Sequence, residues 1–269
     1  MTKQYKYLES FLDEQRANGK YSFTTEGLHS QLDISENALK KSLQRLKHQG
    51  AVVMVRRGFY VIVPPEYKAK GIIPTSFYVH DLMNFLKRDY YVGLLNAAAY
   101  HGAAHQQPQN YSIITEGIAL RPIKKDQVEI NFYIKKTWNK KDVTKKKVDT
   151  GYINISSPEL TALDLVSYYN EVGGFNRVVT VIEELIEAIQ ADRLVETAIQ
   201  YHETSTVQRL GYLLEYILEE NEISDTLYNY LDQIEFYPIL LRTQKKKPEH
   251  MITGNRWKVV SNVEIEADI

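Results

Sequence analysis

The sequence predicts an α+β fold, a small helical N-terminal module followed by a larger domain whose strands precede its helices. Three observations carry this. An amphipathic helical stretch after Ser35 runs into two short β-forming segments. Further β-forming runs occupy residues 111–115, 128–135 and 151–155. From Ser156 onward the apolar residues recur at helical spacing almost to residue 234.

Taken in order, residues 5–18 form a first helix with Leu8, Phe11 and Leu12 on one stripe, and Gly19 ends it. Residues 21–25 are a short extended piece that caps a second helix over 25–32. Asp33, Ile34 and Ser35 turn the chain into a third helix, with Ser35 at the N-cap and Gly50 past its end. Leu39, Leu43 and Leu46 share one face of that helix, with Ala38 beside them. Val52-Val53-Met54-Val55 and Phe59-Tyr60-Val61-Ile62-Val63 then make a hairpin, split by Arg56-Arg57-Gly58. Three helices and a hairpin with a cationic tip form a winged helix-turn-helix over residues 1–64. Pro64-Pro65 closes the last strand, since proline cannot donate to a ladder. Residues 65–80 are expected to be a linker and 81–269 a C-terminal domain.

The third helix carries the functional expectation. With Ser35 at its start, Asn37, Lys40, Lys41, Gln44, Arg45 and His48 lie away from the leucines. Amides suit adenine edges, and cations suit guanine edges and phosphates, in the major groove. No Asp or Glu occurs between Asn37 and Pro65, and Arg56 and Arg57 add charge at the hairpin tip. A basic helix face is ordinarily just solvated; the paired arginines on a hairpin directly behind it point to a DNA-contacting surface.

The formal net charge of −1 over 269 residues conceals segregation. Residues 1–70 hold 12 basic and 7 acidic side chains, and residues 120–150 hold 10 and 4. Residues 151–235 hold 3 basic and 16 acidic side chains. The two basic regions would attract a polyanion, and the acidic one would be repelled by it. Lys135, Lys136, Lys140, Lys141, Lys145, Lys146 and Lys147 cluster around a loop expected between strands, with Trp138 among them. A polar loop and a phosphate-contacting surface fit that cluster equally well.

In the second domain, Asp81 starts a helix, and residues 91–100 read as a second one with small faces. Ser157-Pro158 opens a helix with Leu160, Leu163 and Val166 on one side. Gly173-Gly174 breaks the chain, and helices are expected over 175–191, 193–201, 204–219 and 223–234. No internal repeat is evident, and nothing in residues 236–269 is assigned.

Most enzyme chemistry is absent from the sequence. There is no cysteine, hence no disulfide, thiolate zinc site or cysteine nucleophile. His101 and His105 lie four apart, but Gly102 stands where a zincin needs glutamate, so no metal is expected. Ser156 and Ser157 lack a nucleophile elbow and read as helix-start residues. Glu159 and Asp164 are five apart, on different helical faces, and do not form a catalytic pair. No phosphate-cradling glycine loop occurs. No cofactor is expected, no apolar run reaches membrane-spanning length, and the N-terminus lacks a signal-peptide core, so a cytoplasmic address is expected.

Three long stretches resemble a known family: YYVGLLNAAAYHGAAHQQPQNYSIIT from residue 90, TGYINISSPELTALDLVSYYNEVGGFNRVVTVIEELIEAI from residue 150, and QRLGYLLEYI from residue 208. In this order they are similar to the AbiEi antitoxins of bacterial abortive-infection, type IV toxin–antitoxin systems. The resemblance implies a winged helix that binds inverted repeats in its own promoter, represses its operon, and is nucleoid-associated when bound. It implies a C-terminal domain that neutralises a nucleotidyltransferase-like AbiEii-type toxin, with no stable complex required. It supplies no catalytic residues. The residues it carries over are Asn37, Lys40, Lys41, Gln44 and Arg45 for the groove, and Arg56 and Arg57 for the wing.

Two other readings remain. One is a DNA-tethered nuclease or phosphotransferase, which would need converging carboxylates where the sequence offers dispersed ones. The other is a transcriptional regulator whose second domain binds a ligand or partner and that has no toxin.

Overall fold

The computed structural model describes residues 3–103, 108–125, 128–243 and 253–265. It is a mixed α+β fold, and the chain divides into two compact units. The first holds residues 1–91, 109–135 and 145–154; the second holds 92–108, 136–144 and 155–269.

The first unit begins with α1 (Lys3–Ala17), β1 (Ser22–Thr24), α2 (Thr25–Gln31), α3 (Glu36–His48), β2 (Val52–Arg56) and β3 (Phe59–Ile62). Thr24 caps α2 by accepting a hydrogen bond from the Gly27 N–H. Ser35 occupies the N-cap position of α3, although its side chain makes no capping bond. Gly50 follows the helix with φ +67°, a backbone state that glycine adopts without a Cβ penalty. The three strands form an antiparallel sheet in the order β1-β3-β2. Leu8, Phe11 and Leu12 of α1, Leu28 of α2, and Leu39, Leu43 and Leu46 of α3 pack with Phe23, Val52, Tyr60 and Ile62 into one apolar core.

A helix α4 (Val79–Leu86) follows, then β4 (Tyr90–Val92), α5 (Leu94–Tyr100), β5 (Tyr111–Thr115), β6 (Ile123–Lys125), β7 (Val128–Ile134), β8 (Val143–Val148) and β9 (Gly151–Ser156). The strands form a mixed six-stranded sheet, order β6-β7-β5-β4-β9-β8. Its β5–β7 pairing is parallel and its β6–β7 pairing antiparallel. Two expectations are corrected here. The segment expected to be one helix over 91–100 begins as strand β4, because Tyr90, Tyr91 and Val92 are β-formers buried on both sides, and helix starts only after Gly93. The lysine run 145–147, expected near a loop, lies in β8 at the sheet's edge. Lysine there keeps an exposed edge from pairing with another chain.

The second unit is built around α6 (Pro158–Ser167). Ser157 caps it by accepting a hydrogen bond from the Leu160 N–H, as the Ser-Pro start predicts. The sequence indicates a single apolar side, but every residue from Glu159 to Val166 is buried. The helix is enclosed by α5, α7 (Phe175–Leu185), α8 (Ala191–Tyr201) and α9 (Thr204–Tyr216), while α10 (Asn221–Leu231) packs on α8 and α9. Its two buried carboxylates are both satisfied: Glu159 accepts from the Gln190 N–H at 3.1 Å, and Asp164 from the Tyr201 hydroxyl at 2.9 Å. That hydroxyl's pKa is pushed well above the tyrosine range, first by burial and next by the adjacent Asp164.

The C-terminal segment, unassigned from sequence, locks onto α9 and α10. β10 (Ile239–Leu240) pairs in parallel with β11 (Val259–Val260). Trp257 is fully buried, with its indole N–H donating to Glu215 at 2.7 Å. Arg256 bonds Glu215 and Asp225 and lies over the Tyr228 ring at 4.6 Å. Gln208 donates to the carbonyls of Tyr237 and Trp257. A Cβ on Gly211 would lie 2.0 Å from the Trp257 ring, so only glycine permits this approach.

G211A is therefore expected to destabilise the chain by roughly 1–3 kcal/mol or more through overpacking. W257A, which leaves a cavity, should cost about 3–5 kcal/mol. Urea denaturation of each variant against wild type measures both, and unchanged midpoints would contradict this account of the tail. S157A, which removes the α6 cap, should cost about 1 kcal/mol in the same assay.

Candidate nucleic-acid interface

The surface expected to meet DNA lies in the first unit and is set by which side of α3 is buried. Leu39, Leu43 and Leu46 are between 1% and 4% exposed, and they turn the opposite side outward. Ser35, Asn37, Lys40, Lys41, Gln44, Arg45 and His48 are all exposed, as is Lys47. Glu36, in the first turn, is the carboxylate of α3 and lies before the basic stretch. The exposed side combines amide, cationic and imidazole groups, donors and acceptors of the kinds that base edges and phosphates pair with.

The hairpin tip treats its two arginines differently. Arg57 is exposed. Arg56 is half-buried: its Nη2 donates to the Arg121 carbonyl at 2.9 Å, and its guanidinium lies over the Phe132 ring at 5.7 Å. Burial first, and the nearby Arg121 charge second, lower its pKa from the ordinary arginine value. On the same hairpin, the Met54 carbonyl accepts from Lys125 Nζ at 2.9 Å. Arg121, Lys125 and Phe132 are contacts that sequence reasoning missed. Its only trace of them was the excess of basic residues in 120–150, because a tie across about 65 positions has no local periodicity.

Of the lysine cluster, Lys145, Lys146 and Lys147 stand exposed on β8 in the first unit. Lys136, Lys140 and Lys141 are exposed in the second, the last two in a single turn of 3-10 helix that Asn139 caps. Lys135, in the first unit, is half-buried. Asp142, at the end of that turn, is buried and accepts from the Thr197 hydroxyl at 3.1 Å. His101 donates from Nε2 to the Ser156 carbonyl at 2.7 Å, a structural bond within the second unit. His105, Gln106 and Gln107 lie outside the described residues. Among the described residues no group of three or more His, Asp or Glu side chains converges as a metal site would require. No helix among them is long and apolar enough to cross a membrane.

No curated protein matches the chain. Among solved structures, the RV2827C protein from Mycobacterium tuberculosis is similar with a TM-score of 0.67 at 15% identity, over 96% of this chain and 91% of that one. At that identity the likeness is one of fold. An antigenic nucleotidyltransferase-like protein from Paracoccidioides brasiliensis aligns with a TM-score of only 0.32 at 10% identity, over 55% of this chain and 89% of that one, too low to carry a comparison. Residues 91–216 match the family described as AbiEi antitoxin C-terminal domain. That segment takes in β4, the strands β5 to β9, and the helices from α5 to α9. Over that segment the chain is similar to the C-terminal domain of the AbiEi antitoxins, which supports an AbiEi-family antitoxin.

Proposed function

We propose that the chain is a DNA-binding antitoxin that represses its own type IV toxin–antitoxin operon and opposes a nucleotidyltransferase-like AbiEii-type toxin. The observation that carries the DNA-binding half is the division of α3, with three leucines in the core and an unbroken basic and amide side in water. In this reading residues 1–64 are a winged helix-turn-helix, 65–80 a linker and 81–269 the antitoxin domain. Helix α3 enters the major groove of inverted repeats upstream of the gene. Asn37, Lys40, Lys41, Gln44 and Arg45 lie in the groove, amides towards adenine edges and cations towards guanine edges and phosphates, with Ser35 and His48 beside them. The hairpin lies along the flanking phosphates with Arg57 outermost, and Lys145, Lys146 and Lys147 supply further cations for backbone contacts. Lys135, Lys136, Lys140 and Lys141 are candidates for the same task.

The antitoxin half rests on the family segment at 91–216. Glu159 and Asp164 are committed to hydrogen bonds that hold α6 against α8, which supports a regulator without turnover of its own. Antagonism of the toxin requires no complex between the two proteins in this reading. The protein works in the cytoplasm, on the nucleoid when it occupies its operator.

Binding to a labelled duplex carrying the upstream repeats should weaken steeply with salt, log K falling by about 0.9 per log unit of salt for each phosphate neutralised. R45A should cost about 1–3 kcal/mol on the operator and relax discrimination against unrelated DNA, whereas K41A should flatten the salt slope by about one. Normal binding by both variants would refute the groove assignment. Replacing Lys145, Lys146 and Lys147 together should weaken operator and unrelated DNA alike; unaltered affinity would exclude the β8 edge from the interface. Disrupting the gene while its neighbour is kept should unmask toxicity, and healthy growth would favour a regulator without a toxin.

A further inference from the structure

In hairpin β2–β3, Met54 stands opposite Tyr60, but Arg56, not Val55, stands opposite Phe59. One extra residue has been inserted, a β-bulge at Val55. Its consequence follows from the period of two along a strand. Val52 and Met54 share one side of β2, facing Ile62 and Tyr60 and the core of α1, α2 and α3. Continuing that alternation would place Arg56 on the same side, against the leucines. The bulge turns Arg56 to the side of its partner Phe59, which packs away from that core against Phe85. On that side Arg56 reaches the Arg121 carbonyl and the Phe132 ring, while Lys125 donates to the Met54 carbonyl one step earlier on β2.

We propose that Arg56 is a positioning residue for DNA binding: with Lys125 it clamps the hairpin to strands β6 and β7, fixing where the tip and Arg57 stand, without itself reaching phosphate. The proposal rests on the DNA-binding reading above and assigns one of its cations a different task. A guanidinium half out of water, with one N–H committed to a carbonyl and its face against a phenyl ring, is spent within the protein. Its neighbour Arg57, one residue further along and exposed, keeps its charge for solvent or a polyanion. The clamp also links a hairpin at residues 52–62 to strands near residue 130, so the recognition surface takes its geometry from chain far beyond the first 64 residues.

The test pairs two readouts on wild type, R56A, K125M and R57A, each as the full chain. Hydrogen exchange of the free proteins reads the clamp without DNA. The β2–β3 amides should exchange faster in R56A and K125M and at the wild-type rate in R57A. Fluorescence anisotropy with the upstream duplex, over a series of salt concentrations, reads the consequence. R56A and K125M should each bind about tenfold more weakly, with the salt slope unchanged. R57A should flatten the slope by about one. A flattened slope for R56A with wild-type exchange at the hairpin would make Arg56 a phosphate contact and overturn the proposal. K125M, which removes no expected DNA contact, decides the matter should R56A fail to fold. If wild type ignores the duplex altogether, the DNA-binding reading fails, while exchange still decides whether the clamp exists.

Discussion

Leu39, Leu43 and Leu46 must leave water, and the rest of the first unit is arranged to receive them. Each buried leucine contributes roughly 1.5–3 kcal/mol relative to exposure. The three lie on one stripe of α3 because helical geometry repeats every 3.6 residues. Their partners, Leu8, Phe11, Leu12, Leu28, Phe23, Val52, Tyr60 and Ile62, come from every other element of the first 64 residues except the connecting turns. Once that stripe is fixed, the orientation of Asn37, Lys41, Gln44, Arg45 and His48 follows. The apolar side of the helix thus determines what its polar side presents.

The hairpin behind α3 has a second constraint. It must cover the helical core on one side and meet β6 and β7 on the other, and a strand of strict alternation would send Arg56 to the wrong side. The bulge at Val55 reconciles the two demands, keeping Val52 and Met54 on the core side while Arg56 turns to the side of Phe59. A cation is then fixed where its carbonyl and ring partners wait. Like-charged Arg121 stands close by, which is tolerable because guanidinium is weakly hydrated and keeps its proton under such conditions.

Much of this was legible in the sequence where the signal is local. The stripe of α3, the Thr24 and Ser157 caps, the glycine stop at Gly50 and the helices α8 to α10 follow from spacing and capping chemistry alone. Strand β4 is hidden because Tyr90, Tyr91 and Val92 directly abut an alanine-rich helix, and three residues are too few to show an alternation of their own. Strand β8 was hidden because three consecutive lysines erase alternation, and an edge strand needs none. The clamp on Arg56 and the burial of Trp257 against Gly211 depend on partners 65 and 46 positions away, measured from residue 56 to 121 and from 211 to 257. No windowed pattern reports such pairs. Arginines at a hairpin tip look alike in sequence and differ once one of them has a carbonyl to bond.

In the proposed function the solvent-facing side of α3 lies against operator DNA. Titrating the isotope-labelled protein with a duplex carrying the upstream repeats, and with a scrambled duplex of equal length, tests it most directly. Amide and side-chain resonance shifts should concentrate at residues 37–48 and at Arg57, and be larger for the operator than for the scrambled duplex. Shifts confined to the acidic helices of residues 175–231, or absent along α3 while DNA is bound, would contradict it.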